Sequence, residues 1–181
     1  MAARAHSPSF SRPAPTRSWA GVGASATLLI AMGTAAGAPA TLPDELLIPV
    51  TTPQGVTILT ELADTTEKRA NGLMFRNALA KDRGMLFTFP EPQHWTFWMK
   101  NTRIPLDIIW MDVNKTVVHV ERNVPGCSRT DESCPQYQPS QAAMYVLELA
   151  AGMADSLSLQ RGAKLQFQLP SSARPQPPRH P

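Results

Sequence analysis

Residues 97–112 carry the sharpest hydrophobic pattern in the chain, two apolar runs on either side of a short polar link at 101–105. In the first run Trp95, Phe97 and Met99 fall on one face of an extended chain, and Thr96, Trp98 and Lys100 on the other. In the second, Leu106, Ile108 and Trp110 oppose Asp107, Ile109 and Met111. Pro105 fixes its own φ and holds Ile104 extended, so the link reads as a loop between two strands. Both faces are largely apolar, which predicts strands covered on both sides. Asp107 is the exception. It shares a face with Ile109 and Met111, where a carboxylate needs a partner or a shifted pKa.

The same alternation predicts strands over 46–50, 56–62, 84–89, 116–122, 143–149 and 164–169. Pro53-Gln54-Gly55 turns the chain between the first two, and Asn114 is the expected left-handed residue of the turn at 112–115. Asp64 and Glu67 have the spacing of a helix start, and Asn71-Gly72 is the matching stop. Residues 152–159 read as a second short helix. Arg69 lies in the last turn of the first helix and Arg76 just beyond it; each is either a solvated cation or an inward partner for a carboxylate. Glu148, sharing a face with Met144 and Val146, is a second carboxylate on an apolar face. Eight strand-like segments and two short helices, with no run of crossover-length helices, predict a mainly β protein. A compact antiparallel barrel-like or sandwich domain fits best.

Phe97-Trp98-Met99-Lys100-Asn101-Thr102, followed by Pro105-Leu106-Asp107, resembles the signature of the domain of unknown function family 192 (uncharacterised protein family 0127). Gly72-Leu73-Met74-Phe75-Arg76, Gly84-Met85-Leu86-Phe87, and Val146-Leu147-Glu148 before Gly152 match it in the same order. The resemblance covers residues 45–169 and implies a small, mostly β domain, often exported, with no established activity. The family usually carries Gly-Asp after the second helix; this chain has Gly162-Ala163, so any role of that aspartate is absent.

Charge and composition then narrow the setting. The formal net charge is +3, but three of the 17 basic residues, Arg4, Arg12 and Arg17, stand in the N-terminal segment. That leaves 14 basic against 14 acidic residues beyond residue 40, a balance with no electrostatic footprint for nucleic acid. Basic residues, the apolar stretch 19–33 and small residues at 36–40 read as a signal peptide over 1–40, cut between 37 and 41. The apolar stretch is shorter than the roughly 20 residues that span a bilayer, so no stable span is expected after cleavage. An exported, periplasmic or secreted protein follows, with one β domain over 41–169 and a disordered Pro-rich tail over 170–181. In an oxidising compartment the only cysteines, Cys127 and Cys134, read as a disulfide; a metal site would need more ligands than stand nearby.

No nucleophile elbow, zinc-protease helix or phosphate-binding glycine loop is present. Histidine supports neither a triad nor a three-histidine zinc site, because only His94 and His119 lie inside the domain. Six methionines, Met74 to Met153, could suit copper, but they are spread out as core fillers are, and no metal or cofactor is expected. What remains is a polar set: Arg69, Arg76, Asn101, Thr102, Asp107 and Glu148 beside Trp98 or Trp95. It reads in three ways. Arginine and carboxylate pair to tie helix to sheet; the set lines a pocket for a glycan or another small polar ligand; or Asp107 and Glu148 divide acid and base roles in a hydrolase. The classes are thus a binding or accessory module of the cell envelope, an exported enzyme, and a structural domain that meets an envelope protein.

Overall fold

A computed structural model describes residues 46–129 and 133–173. The expected signal peptide over 1–40 and positions 174–181 of the tail lie outside the described residues. The chain builds β1 (Leu47–Thr51), β2 (Thr57–Ala63), α1 (Thr66–Asn71), β3 (Arg83–Gln93), β4 (Phe97–Trp98), β5 (Leu106–Met111), β6 (Val117–Val124), β7 (Gln136–Tyr137), β8 (Ala143–Ala150) and α2 (Met153–Ser156). Six strands form one sheet in the order β1-β2-β3-β8-β5-β6, and β4 pairs with β7 apart from it. The protein is mainly β with two short helices, as its pattern predicts. The sheet stays open and sandwich-like instead of closing into a barrel.

β8 and β5 are adjacent interior strands of the sheet and are buried on both faces. The alternation along β5 sorts its side chains as expected: Ile109 and Met111 join one core with Ile58, Leu86, Leu147 and Leu149, while Leu106, Ile108 and Trp110 join the other with Phe87, Met99 and Val146. The first core is roofed by α2 and the chain after it, through Leu157, Leu165 and Phe167. The second is roofed by the loop after α1 and by the disulfide segment, through Leu73, Cys127 and Cys134.

Four local departures have physical causes. The expected strand at 95–100 keeps only Phe97–Trp98 in ladder geometry, pairing with Tyr137 and Gln136, because the run leaves the sheet and lies over the second core. The expected strand at 164–169 is divided between two edges, Gln166 bridging to Thr51 beside β1 and Lys164 to Thr116 beside β6. One segment thereby occupies backbone groups at both open ends of the sheet. β2 and β3 run parallel, the exception in an otherwise antiparallel sheet. Residues 64–82, with α1, supply the long connection such a pair requires. The tail, expected to be disordered from residue 170, opens with a 3-10 turn at Ser171–Ala173, and Ala173 is buried in the first core.

Smaller shifts follow from side-chain competition. Thr65, not Asp64, caps α1, its Oγ1 accepting from the Lys68 N–H at 3.2 Å. Lys115 (φ 64°) takes the left-handed position expected of Asn114, because Asp112 Oδ1 accepts from both the Asn114 and Thr116 N–H groups. The pairing of β8 with β3 slips between Thr88 and Gln93. Along β8 the alternation itself breaks at Met144 and Tyr145, which both pack in the first core, so Met144 lies on the opposite side from Val146.

Candidate functional site

Glu148 sits near the centre of the sheet, paired across to Met85 on β3 and Ile108 on β5. It is 6% exposed, and among the described residues no group donates a hydrogen bond to its Oε2. Burial drives its pKa up to about 8, with the Arg76 charge pulling weakly the other way. At neutral pH the carboxyl is therefore mostly protonated.

Arg76 does turn inward to a carboxylate, but the carboxylate is Glu61. Both Nη1 and Nη2 donate to the two Glu61 oxygens. Glu61 pairs with Met85 across β2 and β3, so Glu61, Met85, Glu148 and Ile108 form one row across the second face. Glu61 stands outside the expected set, since alternation with Thr60 and Leu62 alone gives it a solvent-facing position. Ala63, buried on Glu61's own face, is the sequence signal that this side is covered too.

Above the row opens a cavity of about 440 Å³. Its walls are Leu73, Met74, Phe87, Phe89, Phe97 and Trp98, and its polar groups include Arg69, Thr96, Thr102 and Glu148. Phe87 and Phe97 meet edge to face at 4.9 Å. Arg69 closes one side: its Nη1 donates to the backbone carbonyls of Asp64 (2.8 Å) and Thr88 (2.9 Å), and its guanidinium lies 5.4 Å from the Phe89 ring centre. Trp98 donates through Nε1 to the Cys134 carbonyl at 3.0 Å, and Lys100 Nζ stands 4.6 Å from its ring centre. The Cys127–Cys134 disulfide is formed, and the Cys127 N–H donates to the Thr102 carbonyl at 2.6 Å. The bridge thus holds two wall residues, Trp98 and Thr102, through the backbone beside each sulfur.

At the rim Asn101 (φ 58°) and Phe75 (φ 64°) both adopt left-handed backbone, joined by the Phe75 N–H donating to the Asn101 carbonyl at 2.8 Å. Phe75 is 59% exposed. A large aromatic held in that conformation beside a cavity is the kind of strain that collects at functional sites.

Asp107 does not belong to this site. It pairs with Leu149 and faces the first core, fully buried, on the opposite side of the sheet from Glu148. Its Oδ1 accepts from the Asn123 N–H (2.8 Å) and its Oδ2 from the Ala154 N–H (2.7 Å); among the described residues no arginine donates to it, and neither does Asn101 or Thr102. The expected acid–base pair of Asp107 with Glu148 is corrected on that geometry, since the sheet itself separates the two carboxyls. Of the seven expected residues, the fold brings Arg69, Trp98, Thr102 and Glu148 to one cavity, sets Asn101 at its rim and Arg76 beside its floor, and removes Asp107. Among the described residues no group of three or more His, Cys, Asp or Glu side chains could hold a metal ion.

An open β sheet with a buried, protonated carboxyl at the floor of a cavity walled largely by aromatic rings defines a small β domain with a candidate site on one face of its sheet. The chain belongs to the family described as uncharacterised ACR, domain of unknown function 192, whose model matches residues 49–167. A protein of Pyrococcus abyssi in uncharacterised protein family 0127 is 31% identical over 113 residues, 59% of this chain and 84% of that protein. A Novosphingobium aromaticivorans protein of unknown function superposes with a TM-score of 0.60 at 34% identity, over 72% of this chain and 94% of that one. A candidate transcription regulator from Sinorhizobium meliloti does so with a TM-score of 0.59 at 32% identity, over 67% of this chain and 92% of that one.

Proposed function

We propose that this protein is an exported binding module of the cell envelope, and that the cavity over Glu148 takes a small polar ligand such as a glycan fragment. One observation carries the reading. A carboxyl buried to this degree, with an oxygen that no described residue satisfies, is costly unless something else meets it. The surrounding rings suit a ligand with an apolar face, and Thr96, Thr102 and Arg69 supply polar contacts at its edge. Export rests on the N-terminal pattern. Sequencing of mature protein should begin between 37 and 41, and recovery of Met1 from a membrane fraction would contradict it.

The description of the Sinorhizobium meliloti protein raises a nucleic-acid reading for this chain, which its even balance of charge beyond residue 40 does not favour. A hydrolase using two carboxyls is not favoured either, because the second one faces the other core. A thermal-shift screen of sugars, glycan fragments and small polar molecules tests the binding reading by mass action. A ligand that stabilises wild type but not Glu148→Leu supports it. Stabilisation unchanged in that variant would place the site elsewhere, and a panel without effect, alongside a co-purifying envelope protein, would favour the structural reading.

A further inference from the structure

Three kinds of ligand head could meet Glu148: an anion, a cation or an uncharged group. An anion finds the nearby arginines already engaged. Arg76 gives both terminal nitrogens to Glu61, and Arg69 Nη1 gives its protons to two backbone carbonyls. A cation would require Glu148 to ionise among Leu73, Met74, Phe87 and Phe97, and would then lie in the field of Arg69 and Arg76. An uncharged head meets neither cost. A protonated carboxyl presents one donor and one acceptor in a plane, the complement of a carboxamide.

We propose that the cavity takes a compact uncharged ligand whose carboxamide-like donor and acceptor pair with protonated Glu148, its apolar body lying against Phe87 and Phe97. The proposal rests on the reading of this cavity as a binding site and names the ligand class. Charged groups reach Glu148 from only some of the elements around it. β2 and the loop after α1 bring the Glu61–Arg76 pair, and α1 brings Arg69; β3 and β5 present Met85, Phe87 and Ile108, which do not titrate. Burial outweighs the Arg76 charge, so the proton stays on Glu148 until pH rises to about 8. Beyond that the donor is lost and binding should weaken.

Three probes with a matched apolar body separate the heads: 2-phenylacetamide, phenylacetate and 2-phenylethylamine, titrated into labelled protein and followed by backbone amide shifts. The amide should perturb residues around Phe87, Phe97 and Glu148 and bind at least about tenfold more tightly than either ion, a difference of about 1.4 kcal/mol. Its Kd should rise about tenfold between about pH 6.5 and about pH 9, as the protonated fraction falls. Glu148→Gln, which has no proton to lose, should flatten that profile, and Glu148→Leu should abolish the shifts. Tighter binding of the amine or the carboxylate, or affinity that grows with pH, would overturn the ligand class and leave the binding site standing. Shifts at these residues from none of the three probes would overturn the site as well.

Discussion

Asp107 and Glu148 show how one residue-level signal can have two outcomes. Each is a carboxylate within an apolar strand, and each is buried. Asp107 is met by two backbone N–H groups, one from β6 and one from the start of α2, so it fastens an edge strand and a helix to the central strand β5. Glu148 has an oxygen that no described residue satisfies. Removing the Asp107 carboxylate would strand two donors, each costing about 1–3 kcal/mol. Asp107→Ala should therefore lower unfolding stability by about 2–5 kcal/mol and leave ligand-induced shifts at Glu148 intact. Asp107→Asn should cost less but still measurably, because its amide can accept only one of the two bonds. A denaturant melt of each variant checks both values, and wild-type midpoints would show that the two bonds carry no stability. Burial of Asp107 was legible in the sequence, since parity along β5 alone requires it. Its partners were not, because they are backbone groups from elements whose positions only the strand order fixes.

At the scale of elements, the spacing between β3 and β8 sets the depth of the cavity floor. At Gly84 β8 leaves no room for a side chain: a Cβ there would meet the Glu148 carbonyl oxygen and Leu149 Cδ2, each at 2.7 Å. The backbone oxygen cannot swing aside, so Gly84→Ala must push the strands apart. It should destabilise by about 1–3 kcal/mol and shift the amides of 147–149. A variant as stable as wild type would show that the sheet yields more readily than this packing implies. The roof depends on another link. β4 and β7 pair through only Phe97–Tyr137 and Trp98–Gln136, too little to stand alone. The Cys127–Cys134 disulfide closes a short ring just before β7, and a ring of this kind is worth roughly 2–3 kcal/mol. The double variant Cys127→Ser/Cys134→Ser should lose about that much in a melt. Hydrogen exchange should localise the loss, with protection falling at the Met99 and Cys127 amides, which donate to Pro135 and Thr102, before it falls in β5 or β8. Uniform loss across the sheet would contradict a local role. Alternation reveals β5 because its side chains change sides at every residue without a break. It misassigned 95–100 and 164–169 because an apolar run that covers a sheet carries the same pattern as one that belongs to it.

For the molecule as a whole, the sequence pattern defined a two-faced sheet and most of the cavity lining, but not which carboxylate faced which core. The answer depends on how β5 and β8 pair, with Asp107 opposite Leu149 and Ile108 opposite Glu148, and that pairing leaves no local signal. Folding encloses Glu148 as a protonated acid. Its consequence is global. A carboxyl whose pKa rises from 4.5 in the open chain to about 8 in the fold contributes stability that is complete below 4.5 and is lost as pH climbs through 8. Above that pH the contribution is gone, and its full size is of the order of a few kcal/mol. Glu148→Gln removes this titration and leaves the other groups in place, so the difference between the two proteins isolates it. The most direct measurement is the unfolding free energy of wild type and Glu148→Gln across the interval from 4.5 to 8. Wild type should weaken relative to the variant throughout that interval and then run parallel to it. Curves parallel across the whole interval would mean that Glu148 titrates as an exposed carboxylate, and the enclosed acid would not exist.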